Sequence, residues 1–113
     1  GTPKPAPKPK KPLQDPSEFF SVGEAKIRHV EEDAWKVFGL IKNKTEKMRF
    51  AYIIVAVSFF KGDTLQDTCS CNVGTVILKP GDSATYSGYL YREGKPDHDR
   101  IEAKVAKYEE MDK

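Results

Sequence analysis

The sequence predicts an all-β fold, a sandwich of about seven strands. Three observations predict it. Phe50 to Phe60 is a run of β-branched and aromatic residues without Gly, Pro or charge, and Lys61-Gly62-Asp63 ends it at once. A short apolar run bounded by turn chemistry is a buried strand sooner than a helix. Short segments with alternating apolar residues recur on both sides of it, separated by turn signals. No stretch carries helical periodicity, and no solenoid or propeller repeat is present.

The elements follow in order. Residues 1–18 predict a Pro/Lys-rich tether, and residues 19–113 the folded domain. Alternate prolines from Pro3 to Pro9 lock φ and remove amide donors, so this stretch reads as an extended polyproline spacer. Lys4, Lys8, Lys10 and Lys11 also admit a proline-motif ligand or a strip resting on anionic envelope. Val22 to Val30 reads as a polar edge strand, with charges that discourage pairing to other chains. Glu31-Glu32-Asp33 is a turn. Ala34 to Lys42 is a stronger strand, with Trp35, Val37, Gly39 and Ile41 on one face and Lys36, Phe38, Leu40 and Lys42 on the other.

After the central strand, Leu65, Asp67, Cys69, Cys71 and Val73 share one face of a half-buried strand. Val76 and Leu78 begin a short strand that Pro80-Gly81 stops. Ser83 to Tyr91 places Ala84, Tyr86, Gly88 and Leu90 on one face and Tyr89 and Tyr91 on the other. Glu93 to Asp99 is a polar loop, and Arg100 to Tyr108 is the last strand, with Ile101, Ala103 and Val105 inward. The expected core comprises Trp35, Val37, Ile41, Ile53, Val55, Val57, Phe59, Val76, Leu78, Tyr86, Ile101 and Val105.

The central strand poses a problem. Both its odd and even positions are apolar, so Phe50, Tyr52, Ile54 and Phe60 need a cover. Phe19 and Phe20 folding back, a second copy of the chain, or a partner would provide one. Phe38, Leu40, Tyr52, Ile54, Tyr89 and Tyr91 form the candidate partner-binding surface.

Chemistry-bearing motifs are sparse. Cys69 and Cys71 point the same way on a strand, at the upper limit of disulfide reach. They read as two small buried hydrophobes; the alternative is a small-molecule or metal site using the pair. Asp97-His98-Asp99 lacks the oriented partner and pocket that a general base needs. Asn43-Lys44-Thr45 matches a glycosylation sequon, but an Asn closing a turn with its side chain is the simpler account. No nucleophile elbow, phosphate loop or zinc-helix motif is present. No catalytic residue, metal or cofactor is expected. The net charge of +2 gives no strong preference for nucleic acid, and without the four early lysines the chain is slightly acidic.

The order of features resembles the FxLYD domain, a bacterial and archaeal extracytoplasmic module. Gly39-Leu40-Ile41-Lys42-Asn43 is similar to that family's Gly-x-Val-x-Asn strand end. Val55 to Phe60 followed by Lys61-Gly62-Asp63 resembles its Val-x-Val-x-Phe-Tyr-Asp segment. Val76 to Asp82 resembles its apolar strand ending in Leu-x-Pro-Gly-Glu, and Tyr86 stands where the family places an aromatic. Phe60-Lys61 departs from the Tyr-Asp pair, and the two cysteines lie outside the pattern. The resemblance spans about Trp35 to Val105. It implies an immunoglobulin-like β-sandwich without activity or cofactor, outside the cytoplasm and attached to the membrane only through a tether. The partners it implies are protein or cell-envelope components, not nucleic acid, and the chain itself would be a monomer or homodimer.

Overall fold

The structure, a computed structural model, describes residues 15–111. The first fourteen residues of the expected tether lie outside it. Its last ones, Pro16–Glu18, form a 3-10 turn in which Asp15 caps the chain, its carboxylate accepting from Ser17 N at 3.0 Å.

Eight strands follow: β1 (Phe20–Val22), β2 (Lys26–Glu31), β3 (Ala34–Asn43), β4 (Arg49–Lys61), β5 (Thr64–Val73), β6 (Ile77–Leu78), β7 (Ser83–Tyr91) and β8 (Arg100–Met111). The expected polar edge strand is thus two strands, β1 and β2, both pairing with β3. All pairings are antiparallel. One layer runs β1/β2, β3, β7; the other runs β5, β4, β8, with β6 beside β4. Strand β5 passes between the layers, pairing with β7 only at Asn72 and Val73. The chain is therefore an all-β sandwich. With β1 and β2 as a split first strand, its pairings match the A–B–E and C–F order of immunoglobulin-like folds.

The core lies between the layers. Val37, Ile41 and Tyr86 of one layer and Val55, Val57, Phe59 and Cys71 of the other are fully buried. Each such large apolar side chain contributes roughly 1.5–3 kcal/mol by burial. Two glycines make the close packing possible. A Cβ on Gly39 would lie 2.3 Å from the Tyr86 hydroxyl, and one on Gly88 would lie 2.5 Å from the Ser70 carbonyl oxygen. Tyr86 thus lies across its cross-strand neighbour Gly39 and donates from its hydroxyl to the Gly23 carbonyl at 2.7 Å.

Backbone irregularity resolves the two-faced central strand. Between Ala51 and Ile54, β4 advances three residues while β8 advances two; between Ile54 and Val55, β8 advances two against one. Each strand thus carries one extra residue, at Tyr52-Ile53 and at Ala106. The inward face changes parity at that level, from Phe50 to Ile53 on β4 and from Val105 to Tyr108 on β8. Phe50 therefore enters the same core as Val55. Phe19, Phe20 and Tyr108 surround it, with ring centroids 5.6, 4.6 and 5.6 Å away. The two phenylalanines do fold back, but onto Phe50 inside the core and not over the outer face of β4.

Four other expectations are corrected. Val76 is 83% exposed, because β6 begins only at Ile77 and Val76 sits in the preceding turn. Leu65 is exposed, because a bulge pairs Phe59 with Asp67 but Phe60 with Leu65, turning Leu65 outward. Trp35 and Ile101 are half-buried and pack against the core from its margin.

Asn43 is the one buried polar residue among those described. Its amide donates to the carbonyls of Met48 at 2.7 Å and Leu78 at 3.1 Å. Its carbonyl oxygen accepts from Thr45 N at 2.9 Å and the Thr45 hydroxyl at 2.7 Å. The backbone of Asn43 also bonds Asp82 and Gly81. One residue thereby joins the β3–β4 turn and β6 through its side chain, and the Pro80-Gly81 turn through its backbone. The amide nitrogen is enclosed and engaged, so in the folded chain it closes a turn and offers no glycosylation acceptor.

Candidate functional site

The six residues expected to form a partner surface divide between two places. Phe38 and Leu40 on β3, with Tyr89 and Tyr91 on β7, lie on the outer face of the first layer. Registers of Lys36 with Tyr89, Phe38 with Ser87 and Leu40 with Thr85 put them on one side, because directly opposed residues share a face. Tyr52 and Ile54 lie on the outer side of the other layer. They line a groove of about 500 Å³ with Val73, Val76, Asn72 and Lys107.

The first face is the more developed. Tyr89 and Tyr91 are 52% and 74% exposed, and their rings stack at 6.3 Å between centroids, inclined by 27°. Leu40 is 61% exposed and borders a depression of about 380 Å³, lined also by Gly23, Glu24, Lys26, Phe38 and Thr85. The depression exists because Gly23 carries no side chain between β1 and β2. A Cβ there would press 3.2 Å from the Leu40 carbonyl oxygen.

Cations surround these apolar groups. Lys26 and Arg28 of β2 stand opposite Phe38 and Lys36 of β3. The Arg28 guanidinium lies 6.0 Å from the Phe38 ring centroid, a cation–π approach. Lys42 ends the β3 row opposite Ser83. Outward positions of β7 add the hydroxyls of Ser83, Thr85 and Ser87. Glu31, opposite Ala34, brings an acid to the rim. Lys26 and Arg28 escaped the sequence analysis because it did not pair their strand with β3. Their alternation with Ala25 and Ile27 was the available signal.

The remaining motifs have structural employment. The Cys69 and Cys71 thiols are free, buried and 3.9 Å apart. The contact with Cys69 and burial push the Cys71 thiol up. Among the described residues, no cluster of three or more metal-ligating side chains forms. Two thiols alone do not match the four ligands of structural zinc, so this pair as it stands does not fit such a site. In the polar loop the three side chains diverge. Asp97 pairs with Lys61 at 2.6 Å, Asp99 accepts from Gly62 N at 3.0 Å, and His98 sets its ring against Phe59. The Lys61 hydrogen bond holds the Asp97 carboxyl below its usual range. Gly62, with φ of +59°, sits first in the two-residue β4–β5 turn, where the type II′ geometry favours glycine.

No protein-family model, curated protein or solved structure matches the chain. Among the described residues no helix is long and apolar enough to cross a membrane.

Proposed function

We propose that this chain is a non-catalytic interaction module of FxLYD type, working outside the cytoplasm on a Pro/Lys tether. It holds a protein partner on the outer face of β2, β3 and β7. The observation that carries the reading is the exposed Tyr89–Tyr91 stack on the same face as Phe38 and, further along β3, Leu40, all turned away from the core. Tyrosine and arginine are enriched at the centres of protein interfaces, where they give large contact area at small entropic cost. The arrangement of the other motifs agrees with a scaffold: in the polar loop Asp97 pairs with Lys61 and Asp99 accepts from Gly62 N.

Site-specific photo-crosslinking in the source cell tests this. A photoreactive residue at position 91 or 40 is expected to yield a discrete crosslinked protein, and one at Ser58, on the opposite layer, is not. Equal products from all three positions, or none, would sink the assignment. Accessibility of a tag on the module to membrane-impermeant reagents in intact cells tests the location.

A further inference from the structure

We propose that the partner presents to this face an extended segment with an apolar centre and acidic ends. The inference rests on the interaction reading above and specifies the chemistry of the partner.

Charge is segregated in the domain. Over residues 15–111, sixteen acids outnumber fourteen bases. On this face the balance is reversed: Lys26, Arg28, Lys36 and Lys42 stand among aromatic, aliphatic and hydroxyl side chains, against Glu24 at the depression and Glu31 at the rim. Half of the acids gather in the Glu31 to Asp33 turn, the loop from Glu93 to Asp99 and the end of β8 at Glu109 and Glu110. None of these four cations has a carboxylate partner within ion-pair distance among the described residues, and Arg28 rests on Phe38.

The outward row of β3 states the pattern a partner must answer. It reads Lys36, Phe38, Leu40, Lys42: cation, two apolar groups, cation. The ends lie six positions apart, about 20 Å along a strand. Leu40 and Phe38 border the depression beside Gly23, whose rim also carries Glu24, Lys26 and Thr85, and an apolar side chain of the partner would lie against its two hydrophobic walls. Carboxylates at the ends of a matching segment would meet Lys36 and Lys42, and Arg28 adjoins Lys36 across the β2–β3 pair. Opposed charges steer encounter and fix register.

A long polyanion fits less well. Nucleic acid carries a charge every few ångströms and is held by counterion release along its backbone. Here the β3 row is charged only at its ends, Lys26 and Arg28 flank its apolar centre from β2 without extending it, and the surrounding domain is net negative. An anionic bilayer meets the same repulsion from the acidic rim at Glu31 to Asp33.

The test uses two capped synthetic peptides, each with leucines at alternate central positions. One carries glutamates six residues apart, the other lysines in their place, and binding is read by fluorescence anisotropy. The glutamate peptide is expected to bind at least tenfold more tightly, and to weaken at least fivefold from 50 to 500 mM salt as the ends are screened, values set on the order of two charge-assisted contacts. Lys36→Glu with Lys42→Glu is expected to reverse the preference, and that reversal also shows that the variant is folded. Equal or absent binding of the two peptides overturns the proposal. So does tighter binding of a single-stranded oligonucleotide or an anionic vesicle that the double substitution abolishes. If position 91 still crosslinks its partner after the charge reversal, the acidic partner is wrong and the interaction face stands. If position 91 never crosslinks, the underlying reading falls.

Discussion

Replacing Asn43 with Ala should be among the most damaging single changes in the domain. The substitution removes an amide that donates at 2.7 and 3.1 Å to the carbonyls of Met48 and Leu78, and an oxygen that accepts twice from Thr45. Asn43 is fully buried, so water does not replace those partners freely. Leaving a buried polar group without its bond costs about 1–3 kcal/mol. The Leu78 carbonyl lies deeper than that of Met48, so we take the upper half of that range for the first and the lower half for the second. The sum is on the order of 3–5 kcal/mol, before any loosening of the Pro80-Gly81 turn. For a domain of this size that is a fall in Tm of about 15–25 °C. Urea denaturation gives the free energy directly, with the midpoint shifted and the slope unchanged. Asn43→Asp keeps an acceptor for Thr45 but turns a second oxygen toward two carbonyls, so it should be no better than Ala. A loss below about 1 kcal/mol for Ala, or a tolerated Asp, would show that the amide is not the joint described here.

Three further outcomes are expected. Gly88→Ala should unfold the domain or lower its midpoint sharply in thermal melts, since the new Cβ would meet the backbone oxygen of Ser70 at 2.5 Å and neither strand can yield cheaply. Burial, with smaller effects from Cys71 and Glu24, raises the Tyr86 phenol from 10.0 to about 12. The unfolded chain ionises first, so the stability this residue contributes is full below pH 10 and is lost as pH climbs toward 12; urea midpoints across that window should fall, and fall less in Tyr86→Phe. Tyr52 is 70% exposed with φ of +53°, in the left-handed region that glycine occupies without strain. Tyr52→Gly should therefore hold or raise stability by up to about 1 kcal/mol, while Tyr91→Gly, in regular strand, should lower it by about as much; equal losses at both sites would remove strain from the account of the bulge.

Much of this architecture is legible in the chain. Alternation in Ala34 to Lys42 and Ser83 to Tyr91 assigned the inward residues Val37, Ile41, Tyr86 and Leu90 to the correct face, because regular strands obey a period of two. The same rule misled wherever the backbone breaks it. Phe50 stood on the wrong parity for the core until the extra residue at Tyr52-Ile53 realigned it, and Leu65 was misplaced by the bulge after Phe59. No composition signal marks either bulge, since neither uses glycine. The outer face was half visible: Phe38, Leu40, Tyr89 and Tyr91 are strand positions that alternate with core residues. Its cations on β2 depend on which strand lies beside which, a long-range property that local pattern does not carry.

The paired irregularities in β4 and β8 have a consequence for how the chain tolerates length changes. Deleting Tyr52 alone would leave Phe50, Ile53 and Val55 at alternate positions, the period of a regular strand, with Ala51 still opposite Glu109 and Ile54 still opposite Lys107. Phe50 would stay in its aromatic nest and Val55 in the core. Deleting Ala106 alone does the same for Val105 and Tyr108 on the other strand. Each extra residue is thus a separate insertion that the ladder can lose without turning a ring outward. Deleting a residue from a regular stretch, such as Ala56, has no such escape, because every position on one side of the cut changes face. A Tyr52 deletion that folds where an Ala56 deletion fails would display the difference directly.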